Sequence, residues 1–207
     1  PKCHPSVKQY SYSLSSGDFH AENIRIGNGA LLFDFVYPKG KINDVELGVP
    51  VLINVENAIA AGAAAWLSGV EPEEIKSALL GYMGARRRFD IRCKTDKMVL
   101  IDDYAHHPDE VEASISSIRK LYDNKKITGI FQPHLYSRTR DFADAFADSL
   151  SLLDELILLD IYPAREEPIE GVTSQIIFDK VTIKNKTMCS KDDVLDLLKK
   201  KQREVVV

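Results

Sequence analysis

The chain has 207 residues, 44% of them apolar and 28% charged, a composition able to bury a core. A net charge of −4 argues against a nucleic-acid partner held by bulk electrostatics, leaving Arg86-Arg87-Arg88 only as a local anion site. No apolar run approaches the roughly 20 residues of a membrane span. Cys3, Cys93 and Cys189 lack CxxC spacing, which suggests neither a disulfide framework nor a zinc knuckle and fits a reducing cytoplasm. The chain opens Pro1-Lys2-Cys3 without an initiator methionine and stops in the apolar run Val205-Val206-Val207, so an internal piece of a longer protein is expected.

Residues 9–48 alternate like strands: Tyr10, Tyr12 and Leu14, then Phe19 to Ile26, then Leu31 to Tyr37. Gly27-Asn28-Gly29 and Pro38-Lys39-Gly40 supply turn chemistry, so an antiparallel meander is predicted. Residues 54–68 are predicted to form an alanine-rich helix whose small side chains permit close packing on a sheet. Asn54 reads as its N-cap, and Asn57, three residues on, shares its face. A second helix is predicted from Glu71-Pro72-Glu73-Glu74 to a C′ glycine at Gly81, followed by a linker to Gly84.

From residue 90 the pattern alternates. Strands are predicted near 97–103, 126–132, 155–161, 185–188 and 203–207, and helices near 108–122, 139–152, 173–179 and 190–200. Lys94-Thr95-Asp96-Lys97 turns a hairpin, and Ser190 with Asp193 imitates a capping box. The alternation implies an α/β fold with a Rossmann-like, doubly wound and mostly parallel sheet, preceded by the meander and its two helices. The predicted division is 1–82 and 83–207.

Two polar loops follow buried strands: Asp102-Asp103-Tyr104-Ala105-His106-His107-Pro108, and Gln132-Pro133-His134-Leu135-Tyr136-Ser137-Arg138-Thr139. In an open α/β sheet such loops gather beyond the carboxyl ends of the strands, where ligands bind. Three histidines, two aspartates, Arg138 and Arg140 are therefore expected in one crevice. Adjacent histidines do not easily point the same way, so at most one of His106 and His107 is expected to face a ligand. Whichever of Asp102 and Asp103 faces inward needs a cation or a hydroxyl. The long charged segment from Asp160 to Pro168 leaves a strand at the same edge.

Asn54-x-x-Asn57 with Ala60-Ala61, Arg88-Phe89-Asp90, Asp103-Tyr104-Ala105-His106-x-Pro108, Gln132-Pro133-His134-x-Tyr136-Ser137-Arg138-Thr139-Arg140 and Ile161-Tyr162-Pro163-Ala164-Arg165-Glu166 together resemble the Mur ligases. The resemblance implies the end of a central ATP-binding domain over 1–82 and a C-terminal domain, truncated at its end, over 83–207. It implies ATP with Mg2+, the magnesium ligands lying mostly outside this chain, and L-alanine and UDP-N-acetylmuramate as substrates in peptidoglycan precursor synthesis. By that resemblance Asn54 and Asn57 approach the adenine side of ATP, Arg88 its phosphates, and Asp103 its ribose or phosphate region. Tyr104, His106, His134 and Arg138 resemble the amino-acid pocket, and Arg88, His134 and Arg138 supply the donors that act in catalysis. Two positions depart from the family pattern: Ile53 stands where His is frequent, and Leu135 where Arg is frequent. No GxxxxGK[ST] phosphate loop occurs in the 207 residues, so the chain alone is expected to be inactive.

Two other classes fit parts of the pattern. A metal-dependent hydrolase would use Asp102, Asp103, His106, His107 and His134 as ligands. A non-catalytic module would bind a nucleotide or amino acid without turnover.

Overall fold

A computed structural model of the chain describes residues 7–207; Cys3 and the opening residues lie outside them. Two compact units are present, one ending at Gly84 and the other running Ala85–Val207.

In the first unit β1 (His20–Gly27), β2 (Ala30–Tyr37) and β3 (Gly40–Glu46) form an antiparallel sheet in sequence order. The β1–β2 turn uses left-handed Asn28 and Gly29, as the turn residues predict. Helices α1 (Ile53–Leu67) and α2 (Pro72–Gly81) follow. Leu31, Phe33, Phe35 and Val45 of the sheet share one core with Val55, Ala58 and Ile59 of α1 and Ile75 of α2. Gly62 sets the approach of α1, because a Cβ there would lie 3.1 Å from the Phe35 ring.

Three expectations fail here for local reasons. The segment Tyr10–Leu14 makes only a single bridge, Tyr12 to Phe19. The backbone N–H and hydroxyl of Ser11 both donate to the Asp18 carboxylate at 2.8 Å, a local alternative to ladder pairing. Gly81 is the last residue of α2 rather than a left-handed C′ residue, and Tyr82 beyond it is extended. Asn54 lies inside the first turn of α1 behind Leu52, and its amide donates to the Val49 carbonyl at 3.2 Å, so it is not the N-cap.

The second unit contains β4 (Asp90–Lys94), β5 (Val99–Asp102), α3 (Pro108–Leu121), β6 (Ile127–Phe131), α4 (Tyr136–Asp141), α5 (Ala143–Leu150) and β7 (Glu155–Leu159). It continues with α6 (Gln175–Phe178), β8 (Lys186–Cys189), α7 (Val194–Lys199) and β9 (Val205–Val206). The sheet order is β4-β5-β9-β6-β7-β8; β4 runs antiparallel to β5 and the other pairs are parallel. The hairpin predicted at 94–97 is formed, with Thr95 N–H donating to the Met98 carbonyl at 2.9 Å. Leu156 to Leu159 of β7 are all buried, which is why that strand reads as an unbroken apolar run.

The single helix expected over 139–152 is two helices broken at Phe142, whose ring packs edge-on against His107 at 4.9 Å. Ser190 stands at an N-cap position, but its hydroxyl bonds the Asp193 carboxylate at 2.6 Å instead of a backbone N–H. The segment therefore starts as a 3₁₀ turn, Lys191–Asp193, before α7. Among the described residues no helix is long and apolar enough to cross a membrane.

Candidate functional site

The strand order places β9 between β5 and β6, so the loops leaving β5, β6 and β7 open around a crevice at their carboxyl ends. A polar cavity of about 560 Å³ lies there, lined among others by Arg87, Asp103, Tyr104, His106, Gln132, His134, Tyr162 and Lys191. All of these residues belong to the second unit.

The first loop is fixed from the helix that follows it. Pro108 takes the first position of α3, and Glu110 reaches back to accept the N–H groups of His106 and His107 at 2.9 and 3.1 Å. The His106 N–H, burial opposing it, and the His107 N–H together hold the Glu110 carboxyl below the usual carboxylate range. The two histidines diverge: His106 lines the cavity with Nδ1 2.9 Å from the Tyr104 carbonyl, and His107 turns to Phe142. The aspartates separate as well. Asp103 lines the polar cavity and accepts the Ser114 hydroxyl at 2.7 Å, the hydroxyl partner that alternation requires. Asp102 lines a smaller, more apolar cavity beside it, shared with Asp103, Ile101 and Phe131.

The second and third loops are zipped together past the ends of β6 and β7. Tyr162 N–H donates to the Pro133 carbonyl at 2.8 Å, and Leu135 N–H donates to the Tyr162 carbonyl at 3.0 Å. The His134 and Tyr162 rings lie 5.4 Å apart. Leu135 has φ 75°, in the region that disfavours a leucine, and it turns the chain sharply into α4. His134 Nδ1 and Arg138 Nη1 are both buried without a hydrogen-bond partner. Burial, then the Arg138 charge and then His106 hold the His134 pKa below its ordinary value of 6.5. The surroundings thus disfavour the charged imidazolium, with only Glu166 opposing.

Some anticipated residues are elsewhere. Arg140 is exposed and pairs with Asp141 at 2.7 Å, so it does not join the crevice. Arg88 is exposed and does not line the cavity, whereas Arg87, with φ 60°, lies over the Tyr104 ring at 4.7 Å. Three consecutive arginines carry no sequence signal for which one turns inward. Gln132, Tyr162 and Lys191 also line the cavity unassigned by the motifs. Asn54 and Asn57 occupy the start of α1 in the first unit, Asn57 donating to the Asn54 side-chain oxygen at 3.3 Å. Among the described residues, no three His, Cys, Asp or Glu side chains converge to hold a metal ion. The ligand set that the hydrolase reading needs is dispersed, with Asp103 tied to Ser114 and His107 turned away.

The profile described as "Mur ligase, glutamate ligase domain" matches residues 87–206. The whole chain is 61% identical to a UDP-N-acetylmuramate–L-alanine ligase of Parabacteroides distasonis and 57% identical to one of Phocaeicola vulgatus. It spans only 45% of the length of each. A solved UDP-N-acetylmuramate–alanine ligase from Thermotoga maritima superposes with TM-score 0.73 at 24% identity, over 95% of this chain and 43% of that one. A folylpolyglutamate synthase from the same organism gives 0.71 at 16% identity, over 92% and 43%. These two share the fold. The profile covers more than half of the chain, over the sheet and loops that build the crevice, and the chain belongs to the Mur ligase family.

Proposed function

We propose that the chain forms part of an ATP-dependent ligase that joins L-alanine to UDP-N-acetylmuramate, and that its crevice receives the amino acid. The relatives at 61% and 57% identity support the reaction class. The observation that carries the site is the pair of unpartnered buried nitrogens, His134 Nδ1 and Arg138 Nη1: His134 lines the polar cavity, and Arg138, which does not line it, is close enough for its charge to act on His134. A buried group without a partner is costly, and an incoming carboxylate relieves that cost. A guanidinium suits the task because it meets a carboxylate through two parallel hydrogen bonds. Neutral His134 can donate or accept without adding a second charge next to Arg138.

ATP would give its terminal phosphoryl group to the carboxylate of UDP-N-acetylmuramate and leave as ADP; the amine of alanine would then attack the acyl phosphate, forming the amide and releasing inorganic phosphate and a proton. Both steps gather negative charge on oxygen, and fixed donors stabilise such charge without reorganising. In this reading Arg138, His134, His106 and Tyr104 hold the amino acid, Arg88 meets phosphate, and Asp103 faces the ribose or phosphate side. Asn57 fits an adenine edge: one N–H of its amide is given to Asn54, which leaves the other N–H to donate and the oxygen to accept an amine. Among the described residues no three His, Cys, Asp or Glu side chains converge, and no step is assigned to a metal held by this chain.

The test is Arg138→Ala in the full-length protein. The KM for L-alanine is expected to rise at least about tenfold, the loss of a charge-assisted contact, with the KM for ATP little changed. An unchanged alanine KM would remove Arg138 from the pocket.

A further inference from the structure

Helix α4 carries Arg138 in its first turn yet has no side-chain cap from its own leading residues. Leu135, at its N-cap position, has nothing to donate or accept through its side chain. The orphan N–H of Ser137 is satisfied from another crossover. The Glu166 carboxylate accepts that N–H at 2.9 Å through Oε2 and the Ser137 hydroxyl at 2.5 Å through Oε1. Glu166 is brought back to α4 by a turn in which its own N–H bonds the Pro163 carbonyl at 3.0 Å and Ala164 has φ 54°. Arg138 follows Ser137 directly, and its Nη1 remains unpaired although Glu166 is close enough for the two charges to interact.

We propose that Glu166 is a positioning residue for Arg138: it caps α4 from the third loop, so that the guanidinium stays aimed and unneutralised. Both carboxylate oxygens are engaged by Ser137. The acid therefore fixes the first turn and biases the local field without consuming the donors that a substrate carboxylate needs. The neighbouring backbone bonds between Pro133, Leu135 and Tyr162 fix the chain on both sides of His134, so the third loop seats both members of the unpartnered pair. This inference rests on the reading of Arg138 as the carboxylate ligand.

The experiment uses the full-length protein and compares Glu166→Ala, Glu166→Gln, Ser137→Ala and Arg138→Ala. Glu166→Ala is expected to raise the KM for L-alanine about five- to tenfold, the range of a lost helix cap, with kcat and the ATP KM within about twofold. Glu166→Gln keeps one acceptor oxygen and should fall between wild type and Ala. The double variant Glu166→Ala/Ser137→Ala should be no worse than Glu166→Ala alone, because Glu166→Ala already removes the one contact that Ser137→Ala takes away. If Arg138→Ala raises the alanine KM and Glu166→Ala and Glu166→Gln do not, the positioning role is overturned while the pocket stands. If Glu166→Ala lowers kcat and raises both KM values alike, Glu166 is a general structural support and the inference is also overturned. An alanine KM unmoved by Arg138→Ala overturns the pocket and this inference with it. Should Glu166→Ala not fold, the Gln variant and Ser137→Ala carry the same comparison.

Discussion

His134 makes the crevice sensitive to pH. Its folded-state pKa lies below the ordinary 6.5, mainly through burial and then through Arg138 and His106. The unfolded chain binds the proton at the higher value, so between the two values the unfolded state carries more protons. The stability contribution of neutral His134 is complete above about pH 6.5 and declines as pH falls toward the folded-state value. Urea midpoints measured at pH 7.5 and 5.5 should separate less in His134→Asn than in wild type; equal separation would mean that the ring is not responsible. At the same scale the motifs identified His106, His134, Asp103 and Tyr104 as neighbours, and the geometry brings them to one cavity. Arg87 and Arg140 were not legible. Which arginine of 86–88 turns inward depends on left-handed backbone at Arg87 and Phe89, and neither is a residue that advertises positive φ. Arg138 and Arg140, two apart on a helix, cannot face the same way.

Elements were legible wherever periodicity was strong. The apolar runs of β5, β6 and β7 and the proline-led helix α3 appear close to their predicted places. The break at Phe142 was not, because no glycine or proline marks it, and the His107 ring that Phe142 packs against there comes from a distant part of the sequence. Two elements lend themselves to direct tests. Gly129 in the middle of β6 has no room for a side chain: a Cβ would stand 2.3 Å from Leu153 Cδ1. Gly129→Ala is expected to lower stability by about 1–3 kcal/mol, read as a lower urea midpoint at unchanged slope. Glu155 at the start of β7 holds buried Arg203 through bonds of 2.9 and 3.0 Å and also pairs with Lys201 at 2.9 Å. Burial opposes its ionisation, but Arg203, Lys201 and the Thr128 hydroxyl outweigh it and keep the carboxyl below its usual range. Its contribution is thus present above the ordinary glutamate value and lost as pH falls through the depressed one. Glu155→Ala leaves buried Arg203 with backbone carbonyls but no countercharge among these contacts and should cost about 3 kcal/mol at neutral pH, with a smaller difference from wild type in acid. Equal losses at both pH values would argue against the ion pair as the cause.

At the scale of the molecule, the α/β class and the parallel sheet followed from the alternation of patterns, but the strand order did not. Hydrophobic periodicity says that a segment is a buried strand and nothing about which neighbour it will find. The missing phosphate loop is a whole-molecule property too. The 207 residues alone, given ATP, UDP-N-acetylmuramate and L-alanine, are expected to release no phosphate above background, whereas the full-length protein should. Appreciable release by the 207 residues would show that the phosphate contacts lie within them. The position of β9 has a consequence for how the protein is made. It bonds β5 on one side and β6 on the other. As the chain leaves the ribosome, β5 and β6 must wait with bare inner edges until everything through α7 has been synthesised. Such edges invite neighbouring nascent chains. A polypeptide stopped at Gln202 should therefore sediment as aggregate, because its sheet lacks the keystone that closes it.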